Sequence, residues 1–147
     1  MTAESQPGLI AGVTALISEY DEKWLALDFA GLAGLWERVT PQPTYIGDEY
    51  PTPLIGAEAL DRHWARMAGR LKKALVFSQL WSAEALAGGF ARCVLLSRWS
   101  LTGRESDFAH DGSSWITWLL VLRDNRYLIV HHMESQVYVG DGLDPAP

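Results

Sequence analysis

The hydrophobic period of the chain changes once, near Lys73, and that change fixes the order of its elements. Upstream, apolar residues recur at steps of three and four. Leu9, Ile10, Val13, Leu16, Ile17, Tyr20, Trp24 and Leu27 make one stripe, which predicts a long first helix. Asp28 is placed to cap a second, shorter helix that turns Phe29, Leu32, Leu35 and Trp36 inward. Pro41 and Pro43 break the pattern. Residues 44–46 read as a short strand ended by Gly47 and Asp48, and Pro51 and Pro53 hold an irregular connection. Gly56 precedes a third helix with Leu60, Trp64, Met67 and Leu71 on one face. Downstream the period is two. Residues 75–83 read as a strand, and Gly88 and Gly89 as a turn. In residues 92–101, Cys93, Leu95, Ser97, Trp99 and Leu101 share one face, while Arg98 falls on the other. A polar loop covers 102–114. Residues 115–122 are almost wholly apolar, as in a strand covered on both faces. Asp124 and Asn125 suit a two-residue hairpin turn before a returning strand over 126–139. Three helices, one short strand among them, and a four-strand meander predict an α+β fold with helices on one face of an antiparallel sheet.

A chain of 147 residues is one domain's worth of sequence, expected here as a core over about 8–139 with a frayed tail at 140–147. Lys and Arg number 12 against 18 Asp and Glu, a formal net charge of -6 that argues against a nucleic-acid partner. The single cysteine, Cys93, excludes an intrachain disulfide and reads as a small buried hydrophobe. The first residues carry an acid where a signal peptide would carry Lys or Arg, and the uncharged run over 7–18 is shorter than the roughly 20 residues of a membrane span. The expectation is a soluble, cytoplasmic protein with no membrane partner. Seven Trp, five Tyr and four Phe are the departure from average, enough to pack a core, line a pocket, or do both.

This order of elements resembles the nuclear transport factor 2-like superfamily, in its SnoaL-like and ketosteroid-isomerase-like branch. The resemblance covers residues 18 to 135. It is carried by residues 24–36 (Trp-Leu-Ala-Leu-Asp-Phe-Ala-Gly-Leu-Ala-Gly-Leu-Trp), by Thr-Tyr-Ile-Gly at 44–47, by Pro-Leu-Ile-Gly at 53–56 opening the helix with His63 and Trp64, and by the final strand at 127–135. It implies a cone-shaped α+β barrel: a curved antiparallel sheet wrapped around the long N-terminal helix, with two further helices and a pocket at the wide end. It also implies a homodimer through the outer face of the sheet. Tyr20 matches the tyrosine of the steroid-isomerase site. The position of that site's first-strand base falls near Thr44, Tyr45 or Ile46, and its central-strand acid near Thr117 or Trp118, none of them acidic. Steroid isomerisation is therefore not expected. An Asp-Arg-Asp epoxide-hydrolase site cannot be assembled with Arg98 outward, whereas the paired His and Asp of dehydratase-like members is conceivable.

His131 and His132 are adjacent on a strand, so only one enters the pocket. The resemblance, through alignment of the final strand to the family pattern, implies Val130, His132 and Glu134 inward, and His131 and Met133 outward. His132 suits proton transfer, or is a hydrogen-bonded structural histidine. Glu134, on the same face, orients substrate or water. Tyr20 and Tyr45 offer phenolic hydrogens to a substrate oxygen, or serve packing alone. Asp48 reaches the cone's mouth, or is a turn residue. Trp99 and Trp118 are expected as pocket walls, and Trp24, Trp36 and Trp64 as core. His63, among basic neighbours, is expected at the surface or an interface. No third ligand joins His132 and Glu134 in a metal site, and the Asp107, His110 and Asp111 cluster matches no ligand spacing, so no metal is expected. Gly31 and Gly34 lie inside a helix and form no phosphate loop, so no nucleotide cofactor is expected either. The reading is a cofactor-independent lyase, dehydratase, isomerase or cyclase acting by proton transfer on a small hydrophobic or aromatic molecule. His132, Tyr20 and Tyr45 would be catalytic, and Trp99, Trp118, Glu134 and Asp48 would bind substrate. Its rivals are a non-catalytic hydrophobic-ligand binding protein and a dimerisation or assembly module.

Overall fold

The computed structural model describes residues 6–137. The predicted tail at 140–147, and the last two residues of the predicted core, lie outside them. Helix α1 (Gln6–Leu25) buries Leu9, Val13, Leu16, Ile17, Tyr20 and Trp24, because steps of three and four return each side chain to one face. Asp21, beside that stripe, accepts hydrogen bonds from the Ser78 backbone N–H at 2.7 Å and the Ser78 hydroxyl at 2.8 Å, tying the helix to the sheet. Helix α2 (Phe29–Ala33) is capped by Asp28, whose carboxylate accepts from the Gly31 N–H at 2.8 Å. It ends sooner than the sequence predicts. Leu35 and Trp36 leave the helix and run beside the final strand, where the Leu35 carbonyl accepts from the Ile129 N–H at 2.9 Å. Both side chains stay buried, so the apolar stripe is right and only the helix is shorter.

Strand β1 (Thr44–Ile46) and a two-residue strand β2 (Leu54–Ile55), which sequence reading leaves inside the irregular connection, precede helix α3 (Ala57–Arg70). Gly56 enters α3 at φ +93°, a conformation that only glycine adopts freely. The meander follows as β3 (Leu71–Ala85), β4 (Phe90–Gly103), β5 (Ala109–Arg123) and β6 (Arg126–Gln136). Asp124 and Asn125 both take positive φ, as a tight hairpin between twisted strands requires. The expected loop over 102–114 contracts, since β4 and β5 stay paired from Phe90 opposite Val121 out to Thr102 opposite Ala109.

The sheet order is β2-β1-β6-β5-β4-β3. It differs from the expected antiparallel barrel in two respects. β1 lies parallel to β6, so the sheet is mixed. It is also not closed: among the described residues β2 and β3 are its two free edges, and the result is an open cone. Helices pack on the concave side, α1 chiefly against β3 and also against β6. The convex side leaves Phe77, Trp81 and Met133 exposed, and the Trp81 and Trp115 rings meet edge-on at 5.0 Å.

One irregularity decides what faces inward on β6. Ile129 pairs with Leu120 and His131 with Leu119, which leaves Val130 as an extra residue without a partner on β5. Such a bulge advances the strand's alternation by one residue. Tyr127 and Ile129 face the core before it, and His132 and Glu134 share the inner face after it, opposite Trp118 and Ile116. His131 faces outward, where its Nδ1 is hydrogen-bonded to the Thr44 hydroxyl.

Candidate functional site

Between the helices and the concave sheet lies a cavity of about 390 Å³. Met67, Leu71, Val76, Trp99, Leu101 and Ile116 give it apolar walls, and Tyr20, Tyr45, Asp48, Glu49, His63 and Glu134 bring polar groups to it. Its size falls at the lower end of the range for small-molecule sites.

Parallel pairing of β1 with β6 sets Tyr45 directly opposite His132. The Tyr45 ring stacks on that imidazole at 4.5 Å and 13°, and its other close neighbour is the His63 ring at 4.6 Å. The Tyr45 hydroxyl meets two carboxyl groups, Glu49 Oε1 at 2.5 Å and Glu134 Oε1 at 3.0 Å. A phenol has one hydrogen and can donate it to only one of them. The crowding is relieved if one carboxyl is protonated. Glu49, exposed at the cavity rim, has its carboxyl end turned toward Tyr45. Desolvation there, and the charge of Glu134, raise it above the ordinary 4.5, although the Tyr45 hydrogen bond pulls the other way. Burial would raise Glu134 as well, but His132, Tyr45 and Glu49 outweigh burial and hold it below 4.5. The two carboxyls therefore part into an acid and a base. Gly47 makes room for both: a Cβ at that position would stand 2.5 Å from Glu49 Oε2 and 2.9 Å from Glu134 Oε1.

His132 enters this arrangement from behind. It is 3% exposed and is not on the cavity wall, because the Tyr45 ring covers it. Its Nδ1 is 3.0 Å from the Trp118 indole nitrogen. An indole N–H only donates, so Nδ1 accepts and the ring hydrogen sits on Nε2. That Nε2 makes no hydrogen bond and stands 3.9 Å from Glu134 Oε2. His132 thus offers a hydrogen toward Glu134 and has no free lone pair with which to act as a base. This corrects its expected role as a base and leaves it a hydrogen donor through Nε2. Trp118 is corrected with it: fully buried, it holds His132 and meets Tyr20 edge-on at 5.0 Å, rather than lining the cavity.

Tyr20 and Tyr45 both reach the cavity. Burial first, then the nearby charge of Glu134, pushes each phenol well above its ordinary value, so both remain hydrogen-bond donors at neutral pH. Trp99 is on the cavity wall. Its indole donates to the Ser114 hydroxyl at 3.1 Å and its ring stacks over His110 at 6.3 Å. It lies flat across Gly112, its partner on β5, where any Cβ would overlap the ring. Asp48 is exposed at the rim and contributes to the cavity lining.

His63 is 1% exposed and lines the cavity, which corrects its expected surface position. Burial, with His132 and the Arg66 charge nearby, drives it down to about 4. Glu49 went unsingled in the sequence because a lone acid in a loop carries no spacing signal. His110 lines the cavity too, apart from Asp107 and Asp111, which are exposed. Among the described residues, no group of three or more His, Cys, Asp or Glu is arranged to hold a metal ion. No helix among them is long and apolar enough to cross a membrane.

No family model and no curated protein matches the chain. Solved structures do. A proposed dehydratase of the nuclear transport factor 2-like family from Streptomyces avermitilis superposes with a TM-score of 0.78 at 14% identity, over 90% of this chain and 99% of that one. A proposed scytalone dehydratase from Novosphingobium aromaticivorans gives 0.78 at 8% identity, over 93% and 89%. A ketosteroid isomerase-like protein from Erwinia carotovora atroseptica gives 0.74 at 11% identity, over 92% and 100%. The chain has the nuclear transport factor 2-like fold, as the resemblance implied. At these identities the likeness is one of fold, and chemistry rests on the site.

Proposed function

We propose that the chain is a cofactor-independent enzyme that moves a proton on a small hydrophobic or aromatic molecule, by lyase, dehydratase, isomerase or cyclase chemistry. The observation that carries this reading is the convergence of Glu49 and Glu134 on one Tyr45 hydroxyl at the cavity. Ionised Glu134 takes a proton from the substrate. Protonated Glu49 returns one to a developing oxyanion or a leaving oxygen, and Tyr45 links the two. Tyr20 donates a hydrogen bond to substrate oxygen, Trp99 and Ile116 pack against its apolar body, and Asp48 contacts its exposed end. His132 stabilises charged Glu134 through Nε2–H, and its ring supports that of Tyr45. An apolar cavity strengthens each of these contacts by excluding water.

Two further proposals accompany it. The enzyme works as a homodimer whose second copy covers the convex sheet face; Phe77 and Trp81, 69% and 63% exposed there, support this. It works in the cytoplasm, in keeping with a single buried thiol at Cys93 and no second cysteine.

The test is proton exchange. Small aromatic ketones with a hydrogen next to the carbonyl are incubated with the protein in D₂O, and deuterium at that carbon is followed by NMR. Enzyme-dependent incorporation is expected. Binding of every ketone without incorporation would favour the non-catalytic ligand-binding protein instead.

A further inference from the structure

Helix α3 carries a hydrogen-bond relay that ends at the cavity wall. Arg66 donates to the Tyr50 hydroxyl oxygen from Nε at 3.1 Å and from Nη2 at 2.9 Å. A guanidinium only donates, so both bonds fall on the lone pairs of that oxygen. The hydroxyl hydrogen is left for its remaining neighbour, His63 Nδ1, at 2.6 Å. Nδ1 therefore accepts, and the hydrogen of the imidazole sits on Nε2. That Nε2 is buried and has no partner, in a residue that lines the cavity. The low basicity of His63 fits the same state, an uncharged ring that donates. An N–H without an acceptor, shut away from water, is an unusual feature of a cavity wall, since buried donors nearly always find partners.

We propose that this helical wall is a subsite for a ligand oxygen that accepts hydrogen bonds, a ketone carbonyl, held by His63 Nε2–H. Tyr50 and Arg66 are positioning residues that fix His63 in the donating tautomer. The subsite names the group by which the cavity holds its ligand. It stands whether or not the ligand is turned over, since a binding protein would use the same donor.

The experiment uses the whole chain labelled with ¹⁵N. Histidine side-chain correlations read the tautomer directly, and His63 is expected to be protonated on Nε2 with Nδ1 bare. Tyr50→Phe removes the hydrogen that Nδ1 accepts. In that variant the His63 pattern is expected to move toward a mixture while His132 keeps its own. Two probes are then titrated: acetophenone, and α-methylstyrene, which replaces the carbonyl oxygen by CH₂. Acetophenone is expected to bind about tenfold more tightly and to shift the His63 Nε2 signal. Tyr50→Phe should shrink that preference to about threefold or less. A wild-type His63 protonated on Nδ1, equal affinity for the two probes, or no binding of acetophenone would each overturn the subsite. Because none of these readouts involves turnover, a failure here is distinct from a failure of the acid–base reading.

Discussion

Replacing Glu134 by glutamine lowers kcat/KM for ketone deuterium exchange by about 10²–10⁴-fold, the usual worth of a positioned general base. Glutamine keeps the size of the side chain and can still accept from the Tyr45 hydroxyl, which now lies 3.0 Å from Glu134 Oε1. It cannot take up a proton. The pH profile carries a second signature. In the wild-type protein, activity falls on the acid side as Glu134 is protonated below 4.5, and on the alkaline side as Glu49 loses its proton above 4.5. Glu49 is raised by desolvation and then by the charge of Glu134. Removing that charge therefore moves Glu49 down toward its ordinary value, and the residual alkaline limb of Glu134→Gln shifts to lower pH. Full activity in this variant would remove Glu134 from the chemistry.

Truncating Trp118 to alanine destabilises the fold by about 3–5 kcal/mol, as deletion of a fully buried tryptophan generally does. For a domain of this length, that lowers Tm by about 6–20 °C in thermal unfolding followed by circular dichroism. Trp118 is 0% exposed, so all of its surface is lost from contact. Its removal also opens a cavity beside Tyr20 and leaves His132 Nδ1 without its donor. Trp118→Phe separates the two effects. It keeps most of the volume and loses the N–H with part of the fused ring, so it costs about 1–3 kcal/mol. An unchanged Tm in Trp118→Ala would show that the residue does not bear the packing assigned to it.

The parts of the fold that were legible in the sequence are those set by local chemistry. Asp28 caps α2 because an aspartate before a helical stripe can reach the N–H of Gly31. Asp124 and Asn125 tolerate positive φ and close the last hairpin. Alternation from Cys93 to Leu101 by itself turns Trp99 inward and Arg98 outward. The site was less legible, because it depends on contacts between distant segments. Tyr45 meets Glu134 only through parallel pairing of β1 with β6, residues 89 apart in the chain. The bulge at Val130 sets which β6 residues share the inner face with Ile129, and hydrophobic alternation alone does not reveal a bulge. Trp118 was legible as inward-facing, but not as hidden behind Tyr20 and His132. His63 did leave a signal. Leu60, His63, Trp64 and Met67 follow the helical steps of a buried face, and a stripe drawn from apolar residues alone passes over it.

The account depends most on Glu49 and Glu134 sharing one proton across Tyr45. Glutamate carboxyl carbons labelled with ¹³C can be followed by NMR from pH 3 to pH 8 in the wild-type protein and in Tyr45→Phe. Two coupled titrations are predicted, Glu49 above 4.5 and Glu134 below it, both moving up when the hydroxyl is removed, because each carboxylate loses the hydrogen bond that lowers it. Independent titration of both carboxyls at the ordinary glutamate value, unchanged in Tyr45→Phe, would contradict it.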